Sequence, residues 1–429
     1  MADKTGLRML RLRAYCYPEQ TAGTHMDDAL RDALAQNGIT YILYTPTPTR
    51  GVSEEVRREY KKKDKRLEIT HDGHVIIHRF SMFREGTNPI QKTLRFLLCN
   101  IREYHLGKRA RDIDLVFSSS TPPTQGTLSG LVAKKLSKRY GRKVPFIYLL
   151  QDIFPDSLVN AGMTGKGSLI WRVGRRIEDL TYRNADRIIV ISESFKRNIM
   201  AKGVPEDKIE IISNWVDLNA IGPVPRAENP LFDEMGISRD RFIVVYAGNI
   251  GEAQGAEVIL DAAQRLRDED ILFVIFGGGA RFPALKKDAE ERKLGNVIIT
   301  GLRPVEDVKY VYSLGDAALI TCRPGTGDAG MPSKTWSIMA CGTPIIASFD
   351  RGSDLEDTLV RSGAGRCVEP GSANALADAV LEAREGRRAA ASPESIRGYA
   401  LKNASREACV GRYISTIKNA VESAADTEE

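Results

Sequence analysis

Residues 327–342, GDAGMPSKTWSIMACG, combine a glycine loop with a lysine at the start of a predicted helix. If Pro332 is the first helical residue, as its fixed φ favours, Met331 occupies the cap position and offers no acceptor to the N–H groups of the first turn. Lys334 would then oppose the helix dipole. Open N–H groups beside a lysine are typical of an anion site, and a solvated lysine is the structural alternative.

A second glycine loop, GNIGEAQG, places Gly248, Asn249 and Gly251 directly after a predicted strand. Its spacing is not GxGxxG, and the next strand ends in glycines 277–279 rather than in the acidic residue that a nicotinamide ribose needs. A nicotinamide oxidoreductase is therefore disfavoured. Taken alone, the loop is more often a packing turn than a phosphate site.

Further candidates lie at predicted strand ends of the same half. Gly301 and Arg303 follow one strand, Arg323 follows another, and Ser333 precedes Lys334. Two helix N-termini and a lysine can hold a diphosphate without a metal ion. The ordered set therefore predicts a diphosphate site, although none of its members is specific.

In the first half, Asp152 follows the predicted strand PFIYLL, and a turn or N-cap aspartate is the structural alternative. Gly23 lies in the loop after the first predicted strand, and His25 opens the first predicted helix. There Gly23 allows close approach of a ligand or is a plain turn glycine, and His25 ranks below Asp152. The acidic triplets at 112–114 and 268–270 precede their strands, so no metal site is predicted.

The order of elements predicts an α/β protein. At 429 residues the chain is long enough for two domains of about 200 residues each. Strands and helices alternate in both halves, which indicates doubly wound parallel sheets. We expect a Rossmann-like domain over 1–216, a Pro- and Gly-rich linker at 217–236, a second Rossmann-like domain over 237–393, and a helical segment over 394–429 that could return to the first domain.

Composition indicates an ordinary globular protein, with 42% apolar and 28% charged residues. The six cysteines are scattered, which argues against a zinc site or a disulfide framework and fits a reducing cytosol. Neither a signal peptide nor a run of 18 apolar residues is recognised. We therefore expect a cytoplasmic protein.

Charge is divided unevenly. Residues 1–220 carry 37 Lys and Arg against 25 Asp and Glu, and the remainder is net acidic. Segments 91–111 and 169–176 mix apolar and basic residues at helical spacing, and 61–66 reads KKKDKR. Interfacial helices have this pattern, as do core-facing helices with a solvated basic face. The net charge favours an anionic membrane surface as partner, and nucleic acid is not expected.

Several stretches in order, LLQDIFPDSLVNAGM (149–163), ADRIIVISESFKRNI, ISNWVD, YAGNIGEAQG and MPSKTWSIMACGTPIIAS, resemble retaining family-4 glycosyltransferases of the GT-B fold. The similarity points to their bacterial surface-polysaccharide, fucosamine-transferase-like branch. It implies two Rossmann-like domains facing across a cleft, a nucleotide-sugar donor such as a UDP-sugar, a lipid-linked saccharide acceptor, no cofactor, and attachment to the inner face of the plasma membrane. It also places Asp152 on the acceptor side.

The chain departs from that family at its glutamate pair. The two positions hold Ala329, beside Asp328, and Ser337, and a serine can bind only one ribose hydroxyl where a glutamate binds two. Asn249 and Gln254 stand where many members carry Arg and Lys. Phosphate neutralisation therefore shifts to Lys334, backbone N–H groups and Arg323. A nucleotide-sugar epimerase and an inactive sugar-nucleotide-binding protein remain alternatives.

Overall fold

The computed structural model describes residues 6–19, 24–85, 89–160, 164–218, 220–327, 331–386 and 391–426. The chain divides into two compact units, Met1–Ile212 with Val410–Glu429, and Ser213–Cys409. The segment expected to be a linker lies within the second unit in this division. Its residues Leu231 and Phe232 are buried in that unit's core, because this stretch supplies apolar side chains as well as prolines.

The first unit contains an eight-stranded sheet. Its strands are β1 (Arg8–Leu12), β2 (Thr40–Pro46), β3 (Leu67–Thr70), β4 (Val75–Phe80), β5 (Leu115–Ser119), β6 (Phe146–Leu150), β7 (Arg187–Val190) and β8 (Ile209–Ile211). The spatial order is β3-β4-β2-β1-β5-β6-β7-β8, and β3–β4 is antiparallel. The sequence predicts a parallel sheet, but the structure differs at this edge, where β3 is antiparallel to β4. The sequence does not predict β3, because it is largely exposed and has no apolar run.

Helices cover the first sheet. They are α1 (Thr24–Gln36), α2 (Glu54–Glu59), α3 (Pro89–Gly107), α4 (Gln125–Tyr140), α5 (Asp156–Asn160), α6 (Leu169–Asn184) and α7 (Glu193–Ala201). Helix α3 contacts β1 and β2, α4 contacts β5 and β6, and α1 contacts β2. Helix α4 packs between α3 and α6.

The second unit contains a six-stranded parallel sheet. Its strands are β9 (Phe242–Asn249), β10 (Ile271–Gly278), β11 (Val297–Gly301), β12 (Ala317–Thr321), β13 (Ile345–Ser348) and β14 (Gly365–Val368). The spatial order is β11-β10-β9-β12-β13-β14. Strand order therefore reverses between β9 and β12, and ligands of open α/β sheets bind at such a switch point. The sequence does not predict β14, which begins Gly-Arg and has no apolar run.

Helices of the second unit are α8 (Leu231–Glu234), α9 (Glu257–Arg265), α10 (Phe282–Glu291), α11 (Val308–Leu314), α12 (Lys334–Ala340), α13 (Asp354–Ser362), α14 (Ala373–Arg384), α15 (Pro393–Ala404) and the start of α16 (Arg406–Asp426). Helix α15 packs on α12 through stacked Trp336 and Tyr399 rings. From Val410 onwards α16 belongs to the first unit, where Tyr413 contacts Phe117 of β5. The C-terminal segment is thus two helices divided between the units.

Candidate functional site

The switch point of the second unit is formed by the loops that follow β9 and β12. Gly248, near the end of β9, and Gly255, in the loop after it, have positive φ angles of 137° and 54°, which glycine adopts without strain. Arg323 N, after β12, donates to the carbonyl oxygen of Ala253 at 2.8 Å. A Cβ at Gly255 would lie 3.2 Å from Arg323 N. The two loops therefore meet through their backbones, and glycine permits that approach.

Lys334, the first residue of α12, projects its ammonium onto this site. Its Nζ lies 4.0 Å from the centroid of the Tyr246 ring, and a Cβ at Gly248 would lie 3.1 Å from it. Within the part of the chain that the structure describes, no carboxylate approaches Nζ to ion-pair distance, and burial lowers the pKa of Lys334 to about 7. A bound anion would favour the charged form.

The start of α12 differs from the sequence expectation. The helix begins at Lys334, so Ser333 rather than Met331 occupies the cap position, and the Ser333 side chain makes no capping hydrogen bond. Thr335 N donates to Pro332 O at 3.0 Å and Trp336 N to Ser333 O at 3.3 Å. A tight first turn thus satisfies two N–H groups internally. The helix start is less open than predicted, and the lysine is the main feature of the site.

Two arginines that the sequence pattern suggests are already paired. Arg303 makes a bidentate ion pair with Glu234, at 2.7 and 2.6 Å, and a second pair with Asp307 at 3.3 Å. Arg323 pairs with Glu252 on the loop after β9. Their charges are compensated by Glu234 and Asp307 for Arg303, and by Glu252 on the other loop for Arg323. Lys334 is therefore the cation that the described residues leave without a carboxylate at the switch point.

The other residues predicted for the donor site are divided between the loop after β9, the edge of the sheet and helix α12. Asn249 donates from Nδ2 to Gln254 Oε1 at 3.0 Å, and Gly251 N donates to the same oxygen at 3.0 Å, which closes the loop after β9. Gly301 ends the edge strand β11 and is exposed. Ser337 is half-buried one turn beyond Lys334. Asp328 lies outside the described residues.

Two residues that the sequence does not single out hold the site together. Asp350, two residues after β13, accepts N–H hydrogen bonds from Gly325 at 3.0 Å and Gly327 at 2.7 Å. Tyr246 donates from its hydroxyl to the carbonyl oxygen of Asn249 at 2.8 Å. Asp350 could have been found as an acidic residue at a strand end. Tyr246 carries no such signal, because in sequence it is one more apolar residue of a buried strand.

In the first unit, Asp152 is the second residue after β6 and is exposed. The backbone N–H groups of Gln151 and Asp152 both donate to Ser120 Oγ at 3.1 Å, and Ser120 itself follows β5. Helix α5 begins only at Asp156, so Asp152 is not its cap. Among the described residues no donor reaches the Asp152 carboxylate. The loop is fixed while the carboxylate faces solvent.

The other two first-unit candidates cannot be located to the same degree. His25 lies in the first turn of α1, but its side chain is outside the described residues, as is Gly23. The close-approach role of Gly23 and the catalytic role of His25 stay predictions.

Comparison with known proteins covers both units. Residues 24–220 match the Glycosyltransferase Family 4 model, and residues 228–402 match the Glycosyl transferases group 1 model. The chain is 30% identical over 277 residues to WbjE of Pseudomonas aeruginosa, which is named as a probable glycosyltransferase. The aligned residues cover 65% of this chain and 68% of WbjE. The chain belongs to the group 1 glycosyltransferases.

A second relative of this glycosyltransferase is WcaI of Escherichia coli (strain K12), provisionally named as a colanic acid biosynthesis glycosyl transferase. It is 30% identical over 238 residues, which cover 54% of this chain and 58% of WcaI. Among solved structures, Anabaena HepE in complex with UDP has a TM-score of 0.63 at 14% identity and covers 96% of this chain and 100% of that chain. The glycosyltransferase has the GT-B fold, which confirms the fold predicted from the sequence.

Proposed function

We propose that this glycosyltransferase moves a sugar from a UDP-sugar to a lipid-linked saccharide, with retention at the anomeric carbon, in the synthesis of a bacterial surface polysaccharide. Lys334 carries this proposal, because it is a cation without a carboxylate partner at the switch point of the second unit. The UDP complex of the structural neighbour HepE and the biosynthetic role in the name of WcaI support the same donor and pathway class.

The difficult step is departure of the nucleoside diphosphate from the anomeric carbon. Fixed positive groups that meet the developing charge are the largest available contribution to rate. Lys334 supplies a full charge, and the glycine loop at Gly248 and Gly251 lets the backbone approach the phosphates. Arg303 and Arg323 contribute less in this arrangement, since each already faces a carboxylate. Ser337 and Asp328 would contact the donor ribose in place of the glutamate pair.

Asp152 is proposed to act on the acceptor side. Its carboxylate faces solvent on a loop held by Ser120, so it can accept the proton of the acceptor hydroxyl or stabilise positive charge at the anomeric carbon. A retaining enzyme without a nucleophile lets the departing phosphate share the proton transfer, and Asp152 assists it. We also propose a catalytic role for His25 and close approach of the Gly23 backbone to the donor.

The proposed mechanism needs no metal ion, because Lys334 and backbone N–H groups neutralise the leaving group. We expect transfer to proceed at an unchanged rate in EDTA. Loss of transfer on chelation and recovery with manganese or magnesium would contradict this part of the mechanism.

The exposed faces of α3 and α6 support attachment to a membrane. Helix α3 exposes four apolar side chains at helical spacing: Leu94 (50%), Leu97 (55%), Leu98 (38%) and Ile101 (43%). Helix α6 exposes Leu169 (77%), Ile170 (59%) and Val173 (45%). These side chains face solvent rather than the core, so the interpretation as ordinary core-facing helices does not explain them.

Basic residues surround these apolar side chains. Helix α4, between α3 and α6, exposes Leu131 and three lysines, and exposed arginines flank the apolar stretches of α3 and α6: Arg102, Lys134, Lys135, Lys138, Arg172 and Arg176. We call this surface the three-helix face. Its mixture of apolar and basic groups matches an interfacial surface for anionic lipid. We propose peripheral attachment through this face at the inner side of the plasma membrane.

The described helices include none with the length and apolar content needed to cross a bilayer. The basic run 61–66 is exposed near β3 and is not part of the three-helix face.

The function is tested by incubating the protein with a panel of nucleotide sugars, with and without lipid-linked acceptors. We expect stabilisation against heat by one UDP-sugar, about 2.7 kcal/mol at 100 times its Kd, and an acceptor-dependent product with retained configuration. Steady conversion of the donor to its epimer without acceptor would instead identify an epimerase. Donor binding with neither transfer nor hydrolysis would identify an inactive binding protein.

A further inference from the structure

Tyr246 in β9 makes two contacts that the proposed function does not use. The residue is fully buried, its ring lies 4.0 Å from Lys334 Nζ, and its hydroxyl donates to Asn249 O at 2.8 Å. One side chain thus touches both the cation of the switch point and the glycine loop. Core packing alone does not require a tyrosine at this position, because a phenylalanine or a leucine would also fill the space.

The Tyr246 ring holds a cation in a different way from a carboxylate. An aromatic face attracts an ammonium group through its quadrupole and carries no net charge. Lys334 is therefore held in place without a counter-charge beside it, whereas an ion pair of the kind made by Arg303 and Arg323 would cancel its charge. Burial raises the pKa of Tyr246, so the ring stays neutral beside the lysine.

Gly248 completes this arrangement. Its φ of 137° excludes most side chains, and even a single Cβ would come within 3.1 Å of Lys334 Nζ. The ammonium thus lies between the Tyr246 ring and the glycine backbone. The charged pair nearest in sequence on the adjoining loops, Glu252 and Arg323, is satisfied internally and supplies no counter-ion.

We propose that Tyr246 is a positioning residue for the diphosphate of the donor: its ring holds the Lys334 ammonium, and its hydroxyl fixes the loop after β9 in the conformation that the phosphates meet. This inference rests on the proposed function, because it takes Lys334 to be the phosphate-binding group. It adds a residue that makes no contact with the ligand and acts through two groups that do.

The experiment is a double-mutant cycle read by calorimetric binding of UDP and of uridine. Tyr246→Leu removes the ring, Tyr246→Phe removes only the hydroxyl, and both are made with and without Lys334→Met. We expect Tyr246→Leu to weaken UDP binding about three- to thirty-fold and to leave uridine binding unchanged. Tyr246→Phe should keep most of the affinity. With Met at position 334, Tyr246→Leu should weaken UDP binding only by the small amount that Tyr246→Phe does, since the ring then has no cation to hold.

The matched control is Phe273→Leu, which removes a fully buried ring from the neighbouring strand β10 in the same core. It should lower the melting temperature without a selective loss of UDP binding. If Tyr246→Leu does not fold, Tyr246→Met tests the ring in the same cycle with a side chain of similar length.

The outcomes separate this inference from the proposed function. An equal loss of UDP affinity from Tyr246→Leu with Lys or Met at position 334, or an equal loss for uridine, would overturn the role of Tyr246 alone. If the wild-type protein binds none of UDP, GDP and ADP, both the proposed donor and this inference are overturned.

Discussion

The two units have the same kind of sheet but opposite charges at their strand ends. In the second unit a half-buried ammonium, Lys334, lies at the switch point without a carboxylate among the described residues. In the first unit an exposed carboxylate, Asp152, follows β6, and no described donor reaches it. Other charged groups in both units are compensated: Glu234 pairs with Arg303, and Glu19 accepts the N–H groups of Thr49 and Arg50.

This difference indicates a division of roles. Desolvation destabilises the charged form of a half-buried ammonium, and a bound anion stabilises it. Lys334 should therefore control affinity for the anion. An exposed carboxylate stays ionised without a ligand, so Asp152 should control rate. Both charged groups follow the ends of parallel strands. The sequence of the loops there determines which charge each unit has.

The largest effect is expected at Asp152. Asp152→Asn should lower kcat by about 10²–10⁴ because an assisting base is lost, while UDP affinity and melting temperature stay nearly unchanged. The measurement is steady-state transfer together with calorimetry and a thermal melt. Asp152→Ala is the control for a structural role, since a capping aspartate would lose about 1 kcal/mol of stability. Wild-type turnover in both variants would remove Asp152 from the reaction.

The next effect tests whether Lys334 differs from the paired arginines. Lys334→Ala should weaken UDP binding by about 1.5–3 kcal/mol, the range for a lost charge-assisted hydrogen bond, and should lower transfer with it. Arg303→Ala is the matched control in the same unit, because its guanidinium already faces Glu234 and Asp307. Equal losses in the two variants would abolish the distinction between the free and the compensated cation.

The affinity for UDP should also depend on pH. The free protein has a Lys334 pKa of about 7, and a bound diphosphate raises it, so binding takes up a proton above pH 7. The Kd should therefore rise with pH between 7 and 9, by at most about tenfold per unit. Lys334→Arg, whose side chain stays charged, should bind without this slope. A flat wild-type profile would contradict the assigned pKa.

The same group gives the opposite slope for stability without ligand. Its folded pKa of about 7 lies below the usual unfolded value of about 10.4, so between these pH values the unfolded state binds more protons. The contribution of Lys334 to stability should therefore rise with pH across this window. Urea denaturation of wild type and Lys334→Met at pH 7 and 9 measures the difference.

The smallest effects are expected on the three-helix face, away from both charged groups. Each of Arg172→Glu and Arg176→Glu should weaken binding to anionic vesicles by about 1 kcal/mol or more, and salt should weaken wild-type binding. Leu97→Ser should reduce binding to anionic vesicles at high salt as well, since its contribution is apolar. Lys62→Glu, on the exposed run outside this face, is the control. Binding is measured by co-sedimentation with vesicles. Equal sedimentation with anionic and with neutral vesicles would contradict the assignment.

Much of the architecture could be predicted from local pattern. Apolar runs such as VPFIYLL and RFIVVY coincide with β6 and β9, and helices α4 and α6 begin and end within about a residue of the expected positions. Strands β3 and β14 could not be predicted, because an exposed edge strand and a short strand beginning Gly-Arg have no apolar periodicity. Such strands are fixed by pairing with neighbours that are distant in sequence.

The candidate site divides in the same way. The sequence by itself determined that Gly248, Lys334 and Asp152 follow or precede particular strands and helices, since strand ends and glycine loops are properties of short segments. Only the tertiary structure decided that Arg303 and Arg323 are neutralised, that Ser333 replaces Met331 at the cap, and that the Tyr246 ring lies against Lys334. Whether a charge is free depends on distances between side chains that no local pattern records, because the partners come from other strands and loops of the fold.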